Sequence, residues 1–148
     1  MDHGPVVVQS AGELQALAAT IVKELTAGSM LLLYGELGAG KTTFVQGLAR
    51  ALGITDSVTS PTFVIASEYT IQNHPTITTL VHVDLYRLQE GKAANDPAVR
   101  DVVERASDPG RLTVIEWADR LGEDAPASAH HISFEHGKTP TERIVTFS

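Results

Sequence analysis

The sequence predicts an α/β domain built on a mixed β-sheet, and three observations support it. The stretch Gly35-Glu36-Leu37-Gly38-Ala39-Gly40-Lys41-Thr42 fits the pattern G-x-x-x-x-G-K-[ST] at every fixed position. An unbroken apolar run, Met30 to Tyr34, precedes it and reads as a buried strand; behind it, Phe44, Val45, Leu48, Ala51 and Leu52 share one helical face. Further on, the segments 63–71 and 76–84 read as two strands joined by a turn at Gln72-Asn73-His74-Pro75, and such a hairpin brings antiparallel pairing into the sheet.

Each element follows from its residues. Pro5 to Gln9, containing Val6-Val7-Val8, predicts a short first strand. Ser10-Ala11-Gly12-Glu13 has the form of a capping box, and the helix it opens carries Leu14, Leu17, Ala18, Ile21, Val22 and Leu25 on one face, with Gly28 placed to end it. The glycine-loop strand and helix come next, and Gly53 closes that helix. Ser57 to Phe63 is rich in hydroxyls and proline and reads as a loop. Thr62 or Thr59 could supply a hydroxyl that senses a metal and a γ-phosphate; a plain connecting turn is the alternative.

Leu80-Val81-His82-Val83-Asp84 is an apolar strand ending in a carboxylate, the form of a strand that delivers an acid to a phosphate site. Asp96 with Pro97 behind it predicts a helix start, and the helix should run to about Ala106 before Asp108-Pro109-Gly110. Leu112 to Trp117 is a second strand with an acid, Glu116, near its end. Trp117 could stack on a base or lie in the core. Ala129 to Phe134 and Arg143 to Phe147, joined through Gly137 to Pro140, predict a closing hairpin. His130 and His131 are adjacent with no cysteine near them, which argues against a metal site there.

The residue types around the glycine loop give it a chemistry. Glycines let backbone N–H groups approach phosphate, and the helix that follows turns its positive end toward the same anion. Lys41 is placed for the β- and γ-phosphates and Thr42 for Mg²⁺. Asp84 and Glu116 are candidates for holding the metal or for activating water.

Composition narrows the classes. At 148 residues the length prior gives one domain, and 43% hydrophobic with 20% charged residues is the balance of a globular protein. No apolar run is long enough to span a bilayer, so the expected location is the cytoplasm, with no membrane partner. Cysteine is absent, which excludes disulfides and thiolate zinc sites. A net charge of −7 argues against a broad electrostatic grip on nucleic acid.

Four signatures stand in order: Gly35 to Phe44, Ser60-Pro61-Thr62-Phe63, His82-Val83-Asp84-Leu85-Tyr86-Arg87-Leu88, and Val114-Ile115-Glu116-Trp117. In this order and spacing the chain resembles the bacterial TsaE (YjeE) family. The resemblance implies a three-layer P-loop NTPase domain, residues 1–148, with a mixed, mostly parallel sheet. It implies Mg²⁺-dependent ATP hydrolysis, weak alone and raised by a TsaB–TsaD complex. That complex places threonylcarbamoyl on the adenosine beside the anticodon (the t6A modification of tRNA), and hydrolysis would reset it between turnovers. The tRNA would be reached through the complex.

By position, the resemblance implies nucleotide contacts from Glu36, Leu37, Gly38, Ala39, Gly40, Lys41, Thr42, Thr43, Thr62 and Trp117. It implies Lys41, Asp84 and Glu116 as the catalytic groups, with Thr42, Asp84 and Glu116 on the metal. Tyr86 and Arg87 would face the partner or the phosphates. One segment departs from the family: where members carry an acidic and apolar helix with a pattern like E-x-x-x-L-G, this chain has Lys92-Ala93-Ala94-Asn95-Asp96-Pro97. Two other classes compete. A small-molecule kinase of the same loop class needs an arginine-bearing lid, and the long polar segment Gln89 to Asn95 has one basic residue. A nucleotide-gated binding module would use the same residues with negligible turnover.

Overall fold

The computed structural model describes residues 4–59, 65–89 and 92–148. Its strands are β1 (Val6–Val8), β2 (Met30–Tyr34), β3 (Ala66–Thr70), β4 (Thr79–Asp84), β5 (Arg111–Glu116), β6 (His130–His136) and β7 (Arg143–Phe147). Its α-helices are α1 (Ala11–Val22), α2 (Lys41–Ala51) and α3 (Pro97–Arg105). The strands form one sheet in the order β1-β7-β6-β2-β5-β4-β3. The central four, β6, β2, β5 and β4, pair in parallel. Both expected hairpins, β3–β4 and β6–β7, pair antiparallel, and β1 pairs antiparallel with β7. Five of the seven strands therefore run in one direction.

Strand alternation sorts the core into two layers of side chains, one on each face of the sheet. Leu31 and Leu33 of β2, Leu80 of β4, and Leu112 and Val114 of β5 pack with α1 and α2. Leu32, Val81, Val83 and Ile115 pack on the other face with Val99 and Val102 of α3. Helices thus cover both faces, giving the three layers of a P-loop fold. By the same alternation His82 and Asp84 of β4, and Glu116 of β5, belong to the α2 face. The register sets Asp84 beside Glu116 at the carboxyl ends of the two strands.

The Ser10 cap forms as expected: its Oγ accepts the Glu13 N–H at 3.1 Å. The helix, however, ends at Val22 and not near Gly28. The N–H groups of Lys23, Glu24 and Leu25 reach back three residues, tightening the last turn and still burying Leu25. Gly28, at φ 89°, instead turns the chain into the sheet, its N–H donating to Arg111 O at 2.7 Å. Ala51, expected on the buried face of α2, is exposed, and Gly47 and Ala49 are buried in its stead.

Gly47 shows why: a Cβ there would lie 2.7 Å from Gln15 Cα and 2.9 Å from Ala18 Cβ. Helices α1 and α2 cross closely at this glycine. Gly47→Ala is expected to destabilise the fold by about 1–3 kcal/mol, since backbone must shift to admit the methyl. Urea unfolding with an unchanged midpoint would contradict this.

Several strand boundaries differ from expectation. Strand β4 begins at Thr79 because His74 Nδ1 accepts the N–H groups of Thr76 and Ile77, at 3.1 and 2.9 Å, and keeps that stretch in the turn. Strand β5 stops at Glu116 because Trp117 takes φ 57°. Strand β6 runs on to His136. Helix α3 forms where expected, with Asp96 Oδ1 accepting from Ala98 N at 2.9 Å. Phe63, expected to start β3, lies outside the described residues.

Candidate nucleotide site

The glycine loop connects the end of β2 to α2 at the carboxyl ends of the parallel strands, where crevices in such sheets form. A cleft of about 320 Å³ opens there, lined by Leu37, Gly38, Gly40, Lys41, Thr42 and Thr43 from the loop, and by Asp84, Tyr86, Glu116 and Trp117 from β4, β5 and their exits. Gly35 and Gly40 have φ 151° and 113°, and a Cβ on either would come 2.7 Å from its neighbour, Phe134 O or Leu14 Cδ2. Only glycine fits both positions. Ala39 is fully buried beneath the loop and Glu36 is exposed beside it. Arg143, at the start of β7, donates from Nη2 to Gly38 O at 3.1 Å and ties the loop's tip to the sheet.

Lys41 is the first residue of α2 and is 4% exposed. Its Nζ donates to Gly35 O and, at 2.8 Å, to Glu36 O, so the ammonium is curled back on its own loop. It also lies 4.3 Å from the centre of the Trp117 ring. Burial pushes its pKa below the ordinary lysine value, against the opposing pull of Glu116, Asp84, Asp119 and Glu36. An anion entering the cleft would meet a cation short of solvent.

Thr42 Oγ1 donates to the Glu116 carboxylate, at 2.9 Å to Oε1 and 3.1 Å to Oε2. Glu116 is 2% exposed. On its other side Oε2 meets His82 Nε2 at 2.5 Å, and His82 is fully buried. Asp84 is half-buried in the same cleft and its Oδ1 accepts the Tyr86 N–H at 2.9 Å, an arrangement that turns the chain out of β4. Three oxygen-bearing side chains, Thr42, Asp84 and Glu116, therefore converge on one end of the cleft.

The cleft gathers Leu37, Gly38, Gly40, Lys41, Thr42 and Thr43 of the loop together with Asp84, Glu116 and Trp117, whereas the expected contacts Glu36 and Ala39 do not line it. Thr62 lies outside the described residues. Trp117 is no ordinary core residue. Its left-handed backbone, rare for a bulky side chain, turns the indole along the cleft, where it lies 4.9 Å from the Tyr86 ring and 5.3 Å from the Arg120 guanidinium. Because Lys41 sits against the indole, phosphate binding at Lys41 is expected to change Trp117 fluorescence. Titration with nucleoside triphosphate checks this, and a flat emission spectrum at saturating ligand would count against it. Sequence reasoning quoted His82 within a signature but gave it no role, and it gave none to Arg143. His82 carried a signal, a polar residue inside an apolar strand two positions before Asp84; Arg143 carried none.

A glycine loop of this form between a buried strand and a helix, at the carboxyl edge of a parallel-centred three-layer sheet, defines a P-loop NTPase fold. Residues 8–145 match the family described as Threonylcarbamoyl adenosine biosynthesis protein TsaE, and the chain belongs to that family. Among relatives of that name, the protein of Nostoc sp. is 45% identical over 71% of this chain and 62% of its own length. The Synechocystis sp. protein is 41% identical over 68% of this chain and 61% of its own length. The chain thus spans about three fifths of these two relatives. The crystal structure of Bacillus subtilis YdiB is similar with a TM-score of 0.76 at 30% identity, covering 97% of this chain and 82% of that one. No helix among the described residues is long and apolar enough to cross a membrane.

Proposed function

We propose that the chain is the Mg²⁺-dependent ATPase component of tRNA threonylcarbamoyladenosine formation, acting in the cytoplasm on a TsaB–TsaD complex and reaching tRNA through it. The observation that carries the nucleotide part is the convergence of Lys41, Thr42, Asp84 and Glu116 on one cleft under a phosphate-type loop. Family membership supports the pathway.

In this reading the loop N–H groups and the start of α2 bind the phosphates. Lys41 exchanges its carbonyl partners, Gly35 O and Glu36 O, for phosphate oxygens. The donor set suits Mg²⁺: two carboxylates and a hydroxyl are hard oxygen ligands, and Mg²⁺ takes one or two protein carboxylates with the substrate's phosphates completing its shell. Thr42, Asp84 and Glu116 would hold the ion, which neutralises charge on the phosphates. Glu116, the more buried acid, is placed to orient and deprotonate the attacking water. Trp117 and Tyr86 wall the cleft and limit water around Lys41.

Phosphate release from ATP by the purified chain, alone and with TsaB and TsaD, tests the reading. A low rate that rises with the pair is expected. An unchanged rate would remove the chain from that assembly and reopen the small-molecule kinase reading.

A further inference from the structure

His82 does more than fill the core beneath the cleft. Its ring is fully buried, on the β4 face that packs against α2. Its cross-strand neighbours are Val114 of β5 and Ser67 of β3, and Leu80 precedes it on the same face. A position needing only volume would take an apolar side chain. Here an imidazole is kept although its Nδ1 is buried with no hydrogen-bond partner among the described residues, which costs free energy. Its one polar contact among the described residues is Nε2 to Glu116 Oε2, at 2.5 Å. A carboxylate oxygen accepts, so Nε2 carries the hydrogen. The same carboxylate accepts Thr42 Oγ1, so Glu116 is gripped from strand and helix at once.

We propose that His82 is a positioning residue: its Nε2–H fixes the Glu116 carboxylate so that it meets Thr42 and serves the cleft. The proposal rests on the nucleotide reading above. A long, flexible glutamate would otherwise sample several rotamers and lose the orientation that an acid needs toward metal or water.

The test uses the full chain with His82→Leu, which keeps volume and removes the donor, and His82→Gln, whose amide N–H can reach the place of Nε2. Affinity for a non-hydrolysable ATP analogue is measured in EDTA and again in Mg²⁺, alongside phosphate release from ATP and thermal melting. His82→Leu is expected to bind the analogue like wild type in EDTA. It should lose about tenfold to a hundredfold in the tightening by Mg²⁺ or in phosphate release. His82→Gln should recover most of that loss. A folded His82→Leu that keeps both properties would overturn the proposal, as would equal impairment of the two variants. Should His82→Leu melt early, His82→Asn, too short to reach Glu116, replaces it: Gln active with Asn impaired supports the proposal, and no difference overturns it. A wild-type chain that tightens with Mg²⁺ but releases no phosphate would remove the hydrolysis reading while the Mg²⁺ comparison still decides the role of His82.

Discussion

Replacing Lys41 with methionine is expected to lower nucleoside triphosphate affinity by about a hundredfold or more while leaving the fold intact. The lysine's two backbone contacts to Gly35 and Glu36 mark where it rests without ligand, and its reach into the cleft marks where phosphate would draw it. Two hydrogen bonds from a charged donor to phosphate contribute roughly 1.5–3 kcal/mol each, and every 1.4 kcal/mol is tenfold. Stability should move the other way or hardly at all. Burial lowers the Lys41 pKa, so the folded state disfavours the charged form relative to the unfolded chain. That destabilisation is present in full below the lowered value and fades as pH rises toward the ordinary lysine value. Methionine keeps the apolar stem against Trp117 and removes the buried charge, so the melting temperature near neutral pH should not fall. Calorimetric titration and thermal melting check the two halves. Tight triphosphate binding by the variant would end the phosphate-loop account of the cleft.

Glu116→Ala is the second large effect. Phosphate release is expected to fall by about 10²–10⁴-fold, the range for removing a general acid–base group, while binding in EDTA changes little. This variant also removes contacts from two neighbours: among the described residues His82 would be buried with neither ring nitrogen bonded, and Thr42 would exchange its carboxylate contacts for others. An unpartnered buried polar group costs about 1–3 kcal/mol, so Glu116→Ala should melt early as well. Glu116→Gln separates the two consequences. Its amide oxygen can accept from His82, and its NH₂ can donate to Thr42, whose hydroxyl serves as either donor or acceptor. Stability should then be largely kept and phosphate release still lost, because the amide carries no negative charge. Near wild-type release by Glu116→Gln would show that the acid is structural.

The nucleotide loop, the caps of α1 and α3, the two hairpins and both acid-ended strands were legible because each depends on short-range chemistry. Glycine backbone freedom, a serine or aspartate at a helix start, and the period of apolar residues all act within a few positions of the chain. Where the reading slipped, a distant contact was responsible. Helix α1 stops at Val22 because the chain must turn at Gly28 to bond Arg111. The α2 face shifts from Ala51 to Gly47 because α1 crosses there, as the 2.7 Å approach of a Cβ to Gln15 Cα shows.

The sequence alone determined the loop that can receive phosphate, the lysine and threonine within it, and the presence of two acids at strand ends. Strand alternation in principle gave even His82 and Asp84 a common face. Tertiary structure alone decided that Glu116 is shared between Thr42 and His82, that Lys41 rests against Trp117, and that Arg143 ties down Gly38 from β7. The physical reason is reach. Local propensities set φ, ψ and the direction of each side chain. Which carboxylate meets which hydroxyl depends on the order β6-β2-β5-β4 and its register, and those are fixed by burying both faces of the sheet at once.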